Sequence, residues 1–145
     1  MRRTMDGVFV HLVWGTWDRA PLLNDDMRQI AYRAIGAKCA ELDVTIIALG
    51  GVADHVHLLV RMPLTMSVAD LVKHVKGASG HLLARIAMER DTFFKWQGAY
   101  GAFSVSYRDL DMITDYINRQ EAHHAGRSLV PDWELPPPAD RKGGE

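Results

Sequence analysis

A chain of 145 residues with 48% hydrophobic and 24% charged side chains has the make-up of one ordinary globular domain, large enough to bury a core without disulfides. Its 17 basic and 18 acidic residues leave a net charge of −1, which gives no help to a nucleic-acid reading, so any DNA contact must come from positive charge gathered on one surface. Cys39, the lone cysteine, excludes an internal disulfide and fits a reducing cytoplasm; no apolar run approaches the roughly 18 residues of a membrane span, and Met1-Arg2-Arg3 leads into no signal-peptide core.

Residues 8–17 are β-branched and aromatic and predict a central first strand. After a turn containing Pro21, Asn24 or Asp25 caps a helix whose apolar positions Met27, Ile30, Ala31, Ala34 and Ile35 keep helical spacing, reaching about Leu42. A second strand over 44–49 is expected to end in a turn or bulge at Gly50-Gly51. A third strand follows from His55 to Met62, closed by Pro63. Ser67-Val68-Ala69-Asp70 has the form of a capping box and opens a long helix with Leu71, Val72, Val75, Leu82, Leu83 and Ile86 on one stripe. Gly77 and Gly80 interrupt that helix and suggest close approach of another group to its backbone. Residues 94–106 predict a fourth extended segment kinked by Gly98 and Gly101, and 109–124 a last helix. The order β-α-β-β-α-β-α begins as a split β-α-β, ferredoxin-like arrangement of the α+β class: a four-stranded antiparallel sheet with two helices on one face, then a seventh element.

Within the third strand, Asp54-His55-Val56-His57 places two imidazoles on the same side. Strand residues two apart point the same way, about 7 Å from each other, so one cation could sit between them. In the last helix, Tyr116 and Gln120 are four apart and project together, beside the core stripe of Leu110, Ile113 and Ile117. A phenol is a weak nucleophile at neutral pH because its pKa is near 10, and a bound cation makes it usable. A carboxamide oxygen is a hard ligand of the kind Mg²⁺ or Mn²⁺ accepts. Each element alone has a plain alternative. The histidines can simply pack, and a half-buried tyrosine is common at the edge of a core.

Three segments in series carry a resemblance: Asp54-His55-Val56-His57-Leu58-Leu59-Val60, Trp96 to Ser106, and Tyr116-Ile117-Asn118-Arg119-Gln120. With Val10-His11-Leu12-Val13-Trp14 they resemble the single-tyrosine HUH transposases of small bacterial insertion sequences, over roughly residues 8–124. The resemblance implies a catalytic domain at 1–126 and a flexible tail at 127–145. It implies His55, His57 and Gln120 as ligands of Mg²⁺ or Mn²⁺, and Tyr116 as nucleophile. It also implies cutting and rejoining of single-stranded DNA with hairpin ends through a 5′-phosphotyrosine. Members of the family are dimers, in which the tyrosine helix of one subunit often completes the other's site. A domesticated strand transferase of the same chemistry, hydrolysis by activated water, and a non-catalytic ferredoxin-like nucleic-acid-binding module are the alternatives.

Lys73, Lys76, His74, His81 and Arg85 share the outer side of the long helix and read either as a solvated face or as contacts to a DNA backbone, to which Gly77 and Gly80 would give access. Arg19 is a further basic candidate, with Arg2 and Arg3, and Tyr100 could stack on unpaired bases. Trp96 reads as core. His11 lies on a strand that should neighbour the histidine strand and reads as a packed or hydrogen-bonded imidazole rather than a fourth ligand.

Overall fold

In a computed structural model of the chain, residues 5–120 are described. Expectations for Arg2, Arg3, the last helix beyond residue 120 and the 127–145 tail fall outside them. Four strands, β1 (Phe9–Gly15), β2 (Thr45–Val52), β3 (His55–Arg61) and β4 (Gly101–Val105), form one antiparallel sheet in the order β2-β3-β1-β4. Helices α1 (Asp25–Glu41), α2 (Val68–Glu89) and α3 (Leu110–Asn118) complete the α+β sandwich expected from the element order.

Alternation along the strands divides the interior in two. Val10, Leu12 and Trp14 of β1 and Val56, Leu58 and Val60 of β3 face α1 and α2, meeting Met27, Ala31, Ile35, Leu71, Val75 and Leu83. Phe9 and Leu59, on the other face, pack with Ala48, Val105, Ile113 and Ile117 under α3. Both long helices start where the sequence signals them. The Asn24 side chain accepts from the Met27 N–H at 2.8 Å and Ser67 Oγ from the Asp70 N–H at 3.0 Å. Cys39 lies in the larger core, where burial pushes its thiol up to about 11 and keeps it protonated at neutral pH.

The structure corrects three expectations. Gly50 and Gly51 do not end β2; they lie inside it, and the register slips earlier, between Ile46 and Ala48. Only Gly101–Val105 of the fourth segment is a strand. Residues 94–100 instead cross the end of the sheet, joined to β1 by a single Thr16–Trp96 bridge, with the Phe94 and Trp96 side chains sunk into the core. Gly80 does not open the helix to DNA. A Cβ there would stand 2.8 Å from Trp96 Cδ1, so the group approaching the backbone is an indole.

That indole has little room to move. Its Nε1–H donates to Ser79 Oγ at 3.0 Å, and its ring stands edge-on to Phe94 at 4.8 Å and Trp14 at 5.8 Å. Gly80→Ala is therefore expected to destabilise the fold by about 1–3 kcal/mol, the overpacking term exceeding the helix-propensity gain. Gly77→Ala, whose Cβ would meet nothing within 4 Å, is expected to stabilise by roughly 0.5–1 kcal/mol. Urea midpoints of the two variants should thus move in opposite directions; a shift of the same sign in both would remove the indole from the explanation.

Candidate active site

The strand alternation that buries Val56 and Leu58 under α1 and α2 turns His55 and His57 to the α3 side. Both are fully buried, with ring centroids 5.0 Å apart and planes at 68°. Their outer nitrogens are distinguished by what holds the inner ones. His55 Nδ1 lies 2.7 Å from Asp54 Oδ1, and His57 Nδ1 lies 2.8 Å from His11 Nε2. Because a carboxylate can only accept, the proton between Asp54 and His55 sits on Nδ1, and the neutral ring carries its lone pair on Nε2.

A second cation-bearing group approaches from the β1–α1 connection. Arg19 Nη2 is 3.4 Å from Asp54 Oδ1 and 3.2 Å from His55 Nδ1. Two donors cannot bond each other, so Asp54 is the shared acceptor. Burial alone would raise the Asp54 carboxyl; the His55 hydrogen bond and the Arg19 charge outweigh it and hold the group below its ordinary value. To bring Arg19 there, Asp18 and Arg19 both adopt left-handed backbone, with φ of 57° and 52°. Such conformations are costly for non-glycine residues and persist only where neighbours enforce them. Here Thr16 Oγ1 donates to the Ala20 carbonyl at 2.6 Å, and the Asp18 N–H donates to Gln97 Oε1 at 3.2 Å.

α3 supplies the rest. Ile113 and Ile117 anchor it to β2 and β3, and Gly50 lets the Ile117 carbonyl lie against the β2 backbone, where a Cβ would be only 2.4 Å from that oxygen. The docked helix sets Tyr116, 4% exposed, edge-on to His57 with ring centroids 6.0 Å apart. Just past the end of α3, Gln120 is also buried, and its Nε2 donates to the Tyr116 carbonyl at 3.2 Å, which leaves Oε1 as the acceptor atom. These contacts form within a single chain. Among the described residues no three His, Cys, Asp or Glu side chains cluster as a metal centre. The candidate donors are instead two imidazoles and a carboxamide, side-chain types that divalent cations accept; all three are buried, and each imidazole has its Nδ1 engaged. A cleft of about 530 Å³ opens beside Gln120 at the edge of β2, between Arg28 and Tyr32 of α1 and Arg119.

The other basic candidates lie apart from this centre. Lys73 and Arg85 are exposed on α2, across the sheet from the histidines. Lys76 is half-buried, its amine donating to the Gln97, Gly98 and Ala99 carbonyls; it ties the 94–100 segment down instead of joining a solvated face, and burial lowers its pKa. Tyr100 is 38% exposed just before β4. Sequence reading missed Asp54 and Arg19 as partners of His55, and Gly50 as the seat of α3. Asp54 was legible in principle, as the acidic residue next to His55. The other two depend on which distant segments the fold brings together.

No curated protein is matched by this chain. Among solved structures, a candidate transposase from Deinococcus radiodurans R1 superposes with a TM-score of 0.65 at 24% identity, covering 83% of this chain and 96% of that one. A REP-associated tyrosine transposase bound to a REP hairpin superposes with a TM-score of 0.63 at 17% identity, covering 100% of this chain and 95% of that one. At these identities the likeness shows a shared fold. The family model described as Transposase IS200 like matches residues 4–120, and the chain belongs to that family of transposases.

Proposed function

We propose that this transposase cuts and rejoins single-stranded DNA through a covalent intermediate on Tyr116, beside a divalent cation held by His55, His57 and Gln120. The observation that carries the reading is the burial of the Tyr116 phenol ring against His57, with Gln120 one turn away, in the same chain. Tyr116 Oη attacks the scissile phosphorus; the new P–O bond forms as the bond to the 3′ oxygen breaks, and that oxygen leaves as a 3′-hydroxyl. A 3′-hydroxyl from another strand then attacks the phosphotyrosine, freeing Tyr116 and restoring a phosphodiester without external energy. Bound there, Mg²⁺ or Mn²⁺ would neutralise charge on the phosphate oxygens. Asp54 orients the His55 imidazole, and the packing of α3 holds the phenol in place before substrate arrives.

The DNA carries a hairpin, as in the REP-bound structural neighbour. Its cleaved strand would enter by the cleft between Arg28 and Arg119, while the exposed Lys73 and Arg85 on α2 are placed for a more distant part of the same DNA. Exchange of two ends needs two nucleophiles, so a homodimer acts. The docking of α3 on its own sheet supports each chain completing its own site.

The test uses single-stranded hairpins from the DNA flanking the gene, labelled at the 3′ end and incubated with the chain and Mn²⁺. The label is expected to run with the protein on a denaturing gel and to be lost when EDTA is present. Cleaved DNA bearing a free 5′-phosphate, with no label on the protein, would show hydrolysis and defeat the proposal.

A further inference from the structure

We infer that His11 is a positioning residue for the cation site: it accepts the hydrogen bond from His57 Nδ1 and so fixes the tautomer in which His57 Nε2 can bind metal. The inference rests on the cation reading given above. His11 and His57 are both fully buried, with Nε2 and Nδ1 2.8 Å apart and rings stacked at 5.1 Å and 28°. Their meeting follows from the register. His11 stands opposite Leu59 and His57 opposite Val13, so the two histidines are diagonal neighbours on one face of the β1–β3 pair, within reach of large side chains. Phe103 on β4 packs against the other side of the His11 ring, with centroids 6.0 Å apart.

Two neutral imidazoles can share this contact in two ways. With the proton on His57 Nδ1, His57 donates to His11 Nε2 and keeps a lone pair on its own Nε2. With the proton on His11 Nε2, His57 accepts, carries its hydrogen on Nε2, and has no lone pair there for a cation. Only the first arrangement is competent. His55 faces no such choice, because its partner Asp54 can only accept. His11 thus does with a neutral ring what Asp54 does with a charge. A second carboxylate in its place would add negative charge where a phosphodiester must enter; an imidazole orients His57 without that repulsion.

The test titrates Mn²⁺ into the full chain without DNA, following the free ion by electron paramagnetic resonance. His11→Leu is expected to weaken Mn²⁺ binding by about 10- to 100-fold, and His11→Gln, which restores an acceptor, to recover most of it. ¹⁵N NMR of histidine in the metal-free wild type supplies a reading that needs no variant: His57 is expected as the Nδ1–H tautomer. Finding the Nε2–H tautomer, unchanged Mn²⁺ affinity in His11→Leu, or equal loss in both His11 variants with native melting would overturn the inference. His57→Ala separates this from failure of the cation reading. Binding that needs His57 but not His11 sinks only the role of His11, whereas wild-type binding by His57→Ala sinks the site itself.

Discussion

Tyr116→Phe is expected to abolish the covalent protein–DNA adduct and to slow strand cleavage by on the order of 10⁴-fold or more, equivalent to about 5.5 kcal/mol of barrier. The substitution removes the one atom that forms the new bond to phosphorus. It keeps the ring, and with it the edge-on contact to His57 at 6.0 Å. Loss of a buried hydroxyl costs only about 0.5–1.5 kcal/mol of stability, so the variant should remain folded and retain Mn²⁺ affinity. Of the other tyrosines, Tyr107 is 81% exposed against Phe9 and Tyr100 is exposed before β4, whereas Tyr32 of α1 lines the cleft beside Gln120 and is the rival nucleophile. Cleavage that survives in Tyr116→Phe without an adduct would point to water as the nucleophile, and a surviving adduct would point to Tyr32. Mixing Tyr116→Phe with His57→Ala asks the remaining question about assembly. If each chain completes its own site, the mixture stays inactive; recovered adduct would show that α3 reaches a partner's histidines.

The parts of this site that could be read in the sequence are those governed by local periodicity. A period of two put His55 and His57 on one side of a strand, and a spacing of four put Tyr116 and Gln120 on one side of a helix. The first arrangement is present in the structure; in the second, α3 ends at Asn118, and Gln120 lies just past it, tied back by its hydrogen bond to the Tyr116 carbonyl. What periodicity cannot carry is the pairing of distant segments. His11 meets His57 only because β1 and β3 are neighbours in a particular register. Gly50 looked like a turn because glycine most often relieves backbone conformation; in β2 its role is the missing Cβ, which matters only once Ile117 lies on top of it. Lys76 was counted with the solvated charges of α2 for the same reason. Its helical position was read correctly, but the three carbonyls it binds belong to a segment about 21 residues away that does not continue the sheet.

Gly50→Ala is expected to reduce cleavage by about 100-fold, more than its effect on folding alone would give. A Cβ at this position would lie 2.4 Å from the Ile117 carbonyl oxygen and 3.3 Å from its carbon. Ordinary contact begins near 3.4 Å, so a separation of about 1 Å must open, and it must open between two backbones. A flexible side chain could swing away from such a clash; a helix carbonyl moves only with its helix. β2 is held along its length by β3, whereas α3 spans nine residues and is fastened chiefly by Ile113 and Ile117, so α3 is the element that shifts. Tyr116 and Gln120 shift with it, while His55, His57, His11 and Asp54, all on the sheet or its hairpin, keep their places. The variant should lose about 1–3 kcal/mol of stability and show slow adduct formation even well below its melting transition. Wild-type adduct rates in folded Gly50→Ala would mean that α3 does not act from the seat it occupies here, and the source of the phenol would have to be sought in another position of the helix.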